Sequence, residues 1–96
     1  MRPSLAFEQN RTAIRALLQR YRADNPRVFG SVLSEGDHEG SDLDLLIDPQ
    51  PGVTLFDLGG LQDELESLLG IRVDVLTPKD LPVHFRQQVL AEARAL

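Results

Sequence analysis

The chain contains no cysteine, no tryptophan and a single methionine, and aromatic residues make up 5% of its 96 positions. Without cysteine there is no disulfide scaffold, no thiolate zinc site and no cysteine nucleophile. No apolar run exceeds three residues. That leaves no candidate for a membrane-spanning helix or a signal-peptide core, and the expected location is the cytoplasm. Walker A and G-x-G-x-x-G patterns are missing, so P-loop and Rossmann readings lack their phosphate loops. The acidic stretch from Asp37 to Ser41 does not follow the EF-hand order, and His38 and His84 have no second histidine or cysteine to build a zinc site with.

What is present is aliphatic: hydrophobic residues reach 42%, enough for one two-layer core in a single domain over residues 1–96. The net charge of −5 argues against nucleic-acid binding, where a basic face supplies most of the affinity. Its distribution is uneven. Residues 1–27 carry a balance of +4 and residues 28–80 one of −10, with only Arg72 and Lys79 against twelve acids. Glu35, Asp37, Glu39, Asp42, Asp44 and Asp48 follow one another without an intervening cation. Such a run is either a solvated loop or a concentration of carboxylates for a cation.

Periodicity predicts an α/β (α+β) domain, a small mixed β-sheet packed with helices in the order α-β-β-α-β-α. A first helix is expected over Leu5–Ala23, capped by Ser4, with Ile14, Leu17, Leu18 and Tyr21 as its apolar stripe and Asn25-Pro26 as its stop. Arg11, Arg15 and Arg22 lie off that stripe and are candidates for a docking face. Strands are expected over Arg27–Leu33, Asp42–Asp48 and Ile71–Leu76. Thr54, with Asp57 as a capping-box partner, predicts a second helix with a stripe of Leu58, Leu61, Leu65, Leu68 and Leu69 that ends at Gly70. Gly59-Gly60 predicts an irregular first turn there, and Asp80 opens a last helix over residues 81–95 with Pro82 in its first turn.

Three features carry chemistry. Gly30-Ser31 follows the hydrophobic pair Val28-Phe29. A glycine lets backbone approach a ligand closely and serine adds a hydroxyl, which suits a phosphate, although Gly-Ser is also a common turn dipeptide. In Ser41-Asp42-Leu43-Asp44-Leu45-Leu46-Ile47, strand alternation places Asp42 and Asp44 on one side, about 6.6–6.8 Å apart, and Leu43, Leu45 and Ile47 on the other. Leu46 on the acidic side implies that this side is partly covered. Paired carboxylates there form either a polar outer face or a seat for Mg²⁺. Finally, Asp74 alternates with Val73 and Val75 and could bring a third carboxylate, or a simple surface pair with Arg72.

The combination Arg27-Val28-Phe29-Gly30-Ser31, Gly40-Ser41-Asp42-Leu43-Asp44-Leu45-Leu46-Ile47, Leu55-Phe56-Asp57-Leu58 and Val73-Asp74-Val75-Leu76-Thr77-Pro78 resembles the nucleotidyltransferase superfamily that includes DNA polymerase β. The likeness spans roughly residues 10–95, and its nearest match is the smallest branch, the minimal nucleotidyltransferase (MNT) domains. The resemblance implies a mixed sheet flanked by helices and a nucleotidyl transfer that uses two Mg²⁺ ions and ATP. It implies Asp42, Asp44 and Asp74 as catalytic, metal-binding carboxylates and Gly30 with Ser31 as triphosphate binders. It also implies a partner, a HEPN-type ribonuclease toxin, which the MNT antitoxin silences by placing AMP on a tyrosine. Many members carry Arg or His followed by Gly where this chain has Ser34-Glu35. Two readings stay open on sequence alone: an Mg²⁺-dependent protein adenylyltransferase, and a non-catalytic antitoxin that neutralises its partner by binding.

Overall fold

A computed structural model of the chain describes residues 3–30 and 42–95. In chain order the elements are α1 (Pro3–Gln9), α2 (Arg11–Arg20), β1 (Ala23–Phe29), β2 (Leu43–Pro49), α3 (Leu55–Leu69), β3 (Val73–Leu76), a 3₁₀ turn (Pro78–Asp80), α4 (Val83–Glu92) and β4 (Arg94–Ala95). The sheet is mixed and ordered β3-β2-β1-β4. β1 runs antiparallel to β2 and β4, and β2 runs parallel to β3.

One face of the sheet carries the core. Val28, Leu43, Leu45, Ile47 and Val73 pack with Ile14 and Leu18 of α2 and with Leu61, Leu65 and Leu69 of α3. Leu17, Tyr21 and Leu58 join this cluster at its margin, whereas Leu68 stays exposed. The capping box at α3 forms as expected: Asp57 N donates to Thr54 Oγ1 at 3.2 Å and Thr54 N to Asp57 Oδ2 at 2.8 Å. Gly70 ends the helix at φ +68°, where a side chain would be strained.

Several expectations are corrected. The first helix is two, because Asn10 leaves helical geometry (φ −121°, ψ 18°) and turns its side-chain amide onto the Ala6 carbonyl at 2.8 Å. Ser4 lies within α1. Asn25-Pro26 does not stop a helix; it sits inside β1, where the register slips between Asp24 and Arg27. A bulge is where a strand tolerates a proline, which has no N–H to give, and Asn25 takes the left-handed region at φ 47°. β1 therefore starts at Ala23, four residues before the expected Arg27, and runs to Phe29, while residues 31–33 of the expected strand lie outside the described residues. The helix α3 runs unbroken through Gly59-Gly60. Asp80 accepts from the Thr77 backbone N–H (2.9 Å) and hydroxyl (3.0 Å), closing the 3₁₀ turn and not opening a helix. Pro82 stands ahead of α4, which ends at Glu92, and Arg94–Ala95 then pairs with β1.

Candidate active site

The second face of the sheet carries the acids. Asp44 faces Phe29 across β1–β2 and lies beside Asp74 across β2–β3, and directly paired residues share a face. Leu46 lies two residues further along this face and is fully buried without belonging to the main core, and Leu81 after the 3₁₀ turn is buried outside that core as well. The acidic face is therefore partly covered, as the position of Leu46 predicts.

Asp44 is half-buried, and its carboxyl is pushed from 3.8 up to about 6. Loss of hydration is the largest cause, followed by the charges of Asp74 and Asp42 and a hydrogen bond to Asp74. Burial and like charge both penalise an ionised carboxylate. All three sequence-predicted acids thus meet at one place. Asp42, just before β2, is drawn outward by Arg72, whose Nε lies 3.8 Å from Asp42 Oδ1. Among the described residues no three acidic or histidine side chains form a ready-made cation cage. The chemistry of the donors nevertheless suits a hard divalent cation: Asp44 and Asp74 are hydrogen-bonded carboxylates with the charge of Asp42 felt beside them, and their mutual repulsion is what such an ion relieves.

Gly30 ends β1 at φ +77°. A Cβ there would overlap Asp44 Oδ2, so only glycine lets the backbone lie against the acid. Ser31, Ser34, Glu35 and the rest of the acidic stretch up to Ser41 lie outside the described residues. Of the arginines off the α2 stripe, Arg11 is engaged by Glu8 at 2.6 Å, while Arg15 and Arg22 are exposed.

Sequence reasoning missed the wall beside this site. A cavity of about 770 Å³ opens from Phe29 and Gly30 toward α4 and is lined further by Phe85, Val89 and Glu92. The signal was available in the apolar residues of the last helix, which follow no single stripe: α4 buries no residue.

Fold and site together define a small nucleotidyl-transfer fold, in which paired acids and a close-packed glycine share one sheet face. The family model described as the nucleotidyltransferase domain matches residues 11–96, and the chain belongs to that family. The chain is 34% identical over 76 residues to protein adenylyltransferase MntA of Thermococcus cleftensis, covering 79% of this chain and 77% of that one. Curated relatives of this kind align over 66% to 83% of their own lengths. A solved structure described as a "putative minimal nucleotidyltransferase" superposes with a TM-score of 0.85 at 42% identity, over 97% of this chain and 95% of that one. The fold is also shared, with a TM-score of 0.68 and 20% identity over 92% of this chain and 69% of that one, with a solved complex of tri-AMPylated Shewanella oneidensis HEPN toxin and MNT antitoxin. Among the described residues no helix is long and apolar enough to cross a membrane.

Proposed function

We propose that the chain is an Mg²⁺-dependent protein adenylyltransferase, a single minimal domain that transfers AMP from ATP to a tyrosine hydroxyl of a HEPN-type ribonuclease and so acts as its antitoxin. The observation that carries this reading is the meeting of Asp42, Asp44 and Asp74 on one sheet face, with the Gly30 backbone against Asp44. Asp42, Asp44 and Asp74 would hold the Mg²⁺, and Gly30 with Ser31 would bind the β- and γ-phosphates. When bound, the metal supplies positive charge that lets a polyphosphate approach three acids and stabilises the charge developing on the α-phosphate.

The chain's own groups account for the remaining demands of the transfer. The acceptor oxygen forms its bond to the α-phosphorus, the bond from that phosphorus to the bridging oxygen breaks, and pyrophosphate leaves with the electron pair. Asp74, on β3 beside Asp44, takes the acceptor's hydroxyl proton. Backbone N–H groups at Gly30 hold the departing phosphates in line. The chain's net charge of −5 favours a protein acceptor over a nucleic acid.

The substitution of Ser34-Glu35 for a cation and glycine favours the second reading, neutralisation by binding alone. Incubating the chain with ATP, Mg²⁺ and a candidate HEPN-type ribonuclease, then weighing both by mass spectrometry, separates the two. A gain of one AMP mass on a tyrosine of the HEPN protein is expected. A stable complex with no mass gain overturns the catalytic reading.

A further inference from the structure

Of the strands that bring groups to the acidic face, the one carrying Asp74 has the least support from the sheet. β3 is four residues long and, among the described residues, has a neighbour on one side only. Asp74 lies directly beside Asp44, and the two carboxyls share a hydrogen bond while their charges repel. Repulsion acts most on the strand that is held least, and β2 is held on both sides by β1 and β3. Keeping Asp74 in place therefore calls for a hold on β3 from outside the sheet.

The helix α3 supplies it. Leu43 N donates to Arg72 O at 2.9 Å, so the backbone groups of Arg72 and Asp74 turn toward β2 and those of Val73 and Val75 turn outward. Each outward N–H meets a side-chain oxygen of the helix: Glu66 Oε2 accepts from Val73 at 2.9 Å, and Gln62 Oε1 accepts from Val75 at 3.2 Å. The two acceptors stand one helical turn apart, and the two N–H groups flank Asp74. The helix is a firm support, because Leu61, Leu65 and Leu69 anchor it in the core against which Val73 and Val75 also pack. Beyond the strand, Arg86 of α4 ties the next turn by donating to the carbonyls of Pro78 (2.9 Å) and Leu81 (3.1 Å). The hold on Asp74 itself comes from Gln62 and Glu66, neither of which the proposed transfer uses.

We infer that Gln62 and Glu66 are positioning residues: they clamp the β3 backbone on either side of Asp74 and keep its carboxyl beside that of Asp44, so that the pair can serve one divalent cation. The clamp rests on the hydrogen bonds, and its consequence for the metal rests on the adenylyltransferase reading. An edge cover alone contributes stability. A clamp also sets the geometry of a metal ligand, and losing an outer partner of such a ligand typically costs about 10–100-fold in metal affinity. Because these two side chains act through the backbone, each is expected at the lower end, about tenfold.

Two measurements on the full chain, made well below Tm, test it in Gln62→Ala, Glu66→Ala and Glu66→Gln. Ile14→Val, which lowers stability from the core side of α2, is the control. The first follows the side-chain carboxyl carbons of Asp44 and Asp74 by NMR, without metal and at one pH. Both signals are expected to move in Gln62→Ala and Glu66→Ala and to keep near their wild-type positions in Glu66→Gln. Glu66→Ala and Glu66→Gln lose the same charge, so the difference between them isolates the lost hydrogen bond. If Glu66→Ala does not fold, Gln62→Ala carries the test, since Val75 is only half-buried. Unmoved signals in the alanine variants, or equal movement in Ile14→Val, overturn the inference. The second titrates Mn²⁺ alone as a spectroscopic substitute for Mg²⁺. A Kd raised about tenfold in each alanine variant, restored in Glu66→Gln and unchanged in Ile14→Val, supports the clamp. A lowered Tm with the wild-type Kd leaves Gln62 and Glu66 as an edge cover and overturns it. No Mn²⁺ binding by the wild-type chain refutes the metal-assisted transfer reading, and the carboxyl signals then decide the clamp by themselves.

Discussion

At position 44 a carboxylate must be half-desolvated beside two others, and its pKa rises from 3.8 to about 6. Between those values the folded chain holds a proton that the unfolded chain has released, so the metal-free fold loses stability as pH rises through this window. Asn at position 44 carries no charge and can still donate to Asp74. Asp44→Asn is therefore expected to stabilise the metal-free protein at pH 8, with the difference shrinking as pH falls through about 6 and vanishing near pH 4. Urea denaturation at pH 4, 6 and 8 in the presence of EDTA reads this directly; a difference that does not change with pH contradicts it. Glycine supplies a second contrast at the same scale. A Cβ on Gly59 meets nothing, whereas one on Gly60 lies 3.2 Å from the hydroxyl of Tyr21, which is hydrogen-bonded to Glu64. Gly59→Ala is expected to gain about 0.5–1 kcal/mol from helix propensity, seen as a Tm higher by a few degrees. Gly60→Ala should gain less, because the Tyr21 ring must shift.

The edge of the sheet raises a different question, since among the described residues β3 has a neighbour only on one side. Its outward N–H groups at Val73 and Val75 are taken by two side chains of α3 one turn apart, Glu66 Oε2 at 2.9 Å and Gln62 Oε1 at 3.2 Å. The helix thereby closes an edge that would otherwise invite another strand. Val73 is fully buried, so Glu66→Ala leaves its N–H unpaired and is expected to cost about 1–3 kcal/mol. Glu66→Gln keeps an acceptor and should cost far less; equal losses in the two variants would remove this role for Glu66. These side-chain caps were invisible in sequence because they depend on how α3 crosses β3. The elements that were legible are those with a local signal: the Thr54–Asp57 box, the Gly70 terminus, and the alternation that put Leu43, Leu45 and Ile47 inward and Asp44 outward. The elements misread are those where tertiary pairing overrides a local rule. Asn25-Pro26 looks like a helix stop until β2 pairs on both sides of it, and Arg94–Ala95 looks helical until β1 recruits it.

Over the whole molecule, the acids came within reach of sequence reasoning because strand periodicity fixes which side chains share a face, while the cavity beside them did not, because it is a space between elements and no residue encodes it. The same division governs what ligands and mutations should do. If the site takes Mg²⁺ with ATP, binding stabilises the fold by RT ln(1 + [L]/Kd), about 2.7 kcal/mol at a hundredfold excess over Kd. For a chain of 96 residues that is a rise of several degrees in Tm. ATP with EDTA should give far less, and equal shifts with and without metal would contradict a metal-assisted site.

The final prediction separates catalysis from binding. In Asp42→Asn/Asp44→Asn both side chains keep their size and hydrogen-bonding capacity, while two of the three charges that repel one another on the acidic face are gone. Leu43, Leu45 and Ile47 point to the opposite face and remain packed against α2 and α3, so the variant should fold and, metal-free, be at least as stable as the parent. Its capacity to hold a cation falls with the charge, and with it the electrostatic stabilisation of the α-phosphate. Transfer of AMP is expected to drop by at least about 10³-fold, the scale on which removing one such stabilising group acts. Complex formation with the proposed HEPN partner is expected to persist, since the two substitutions leave the packed core in place and change no side chain outside the acid trio. Under the adenylyltransferase reading this variant binds the toxin and fails to protect cells from it at ordinary expression. Protection equal to that of the wild type would assign neutralisation to binding alone.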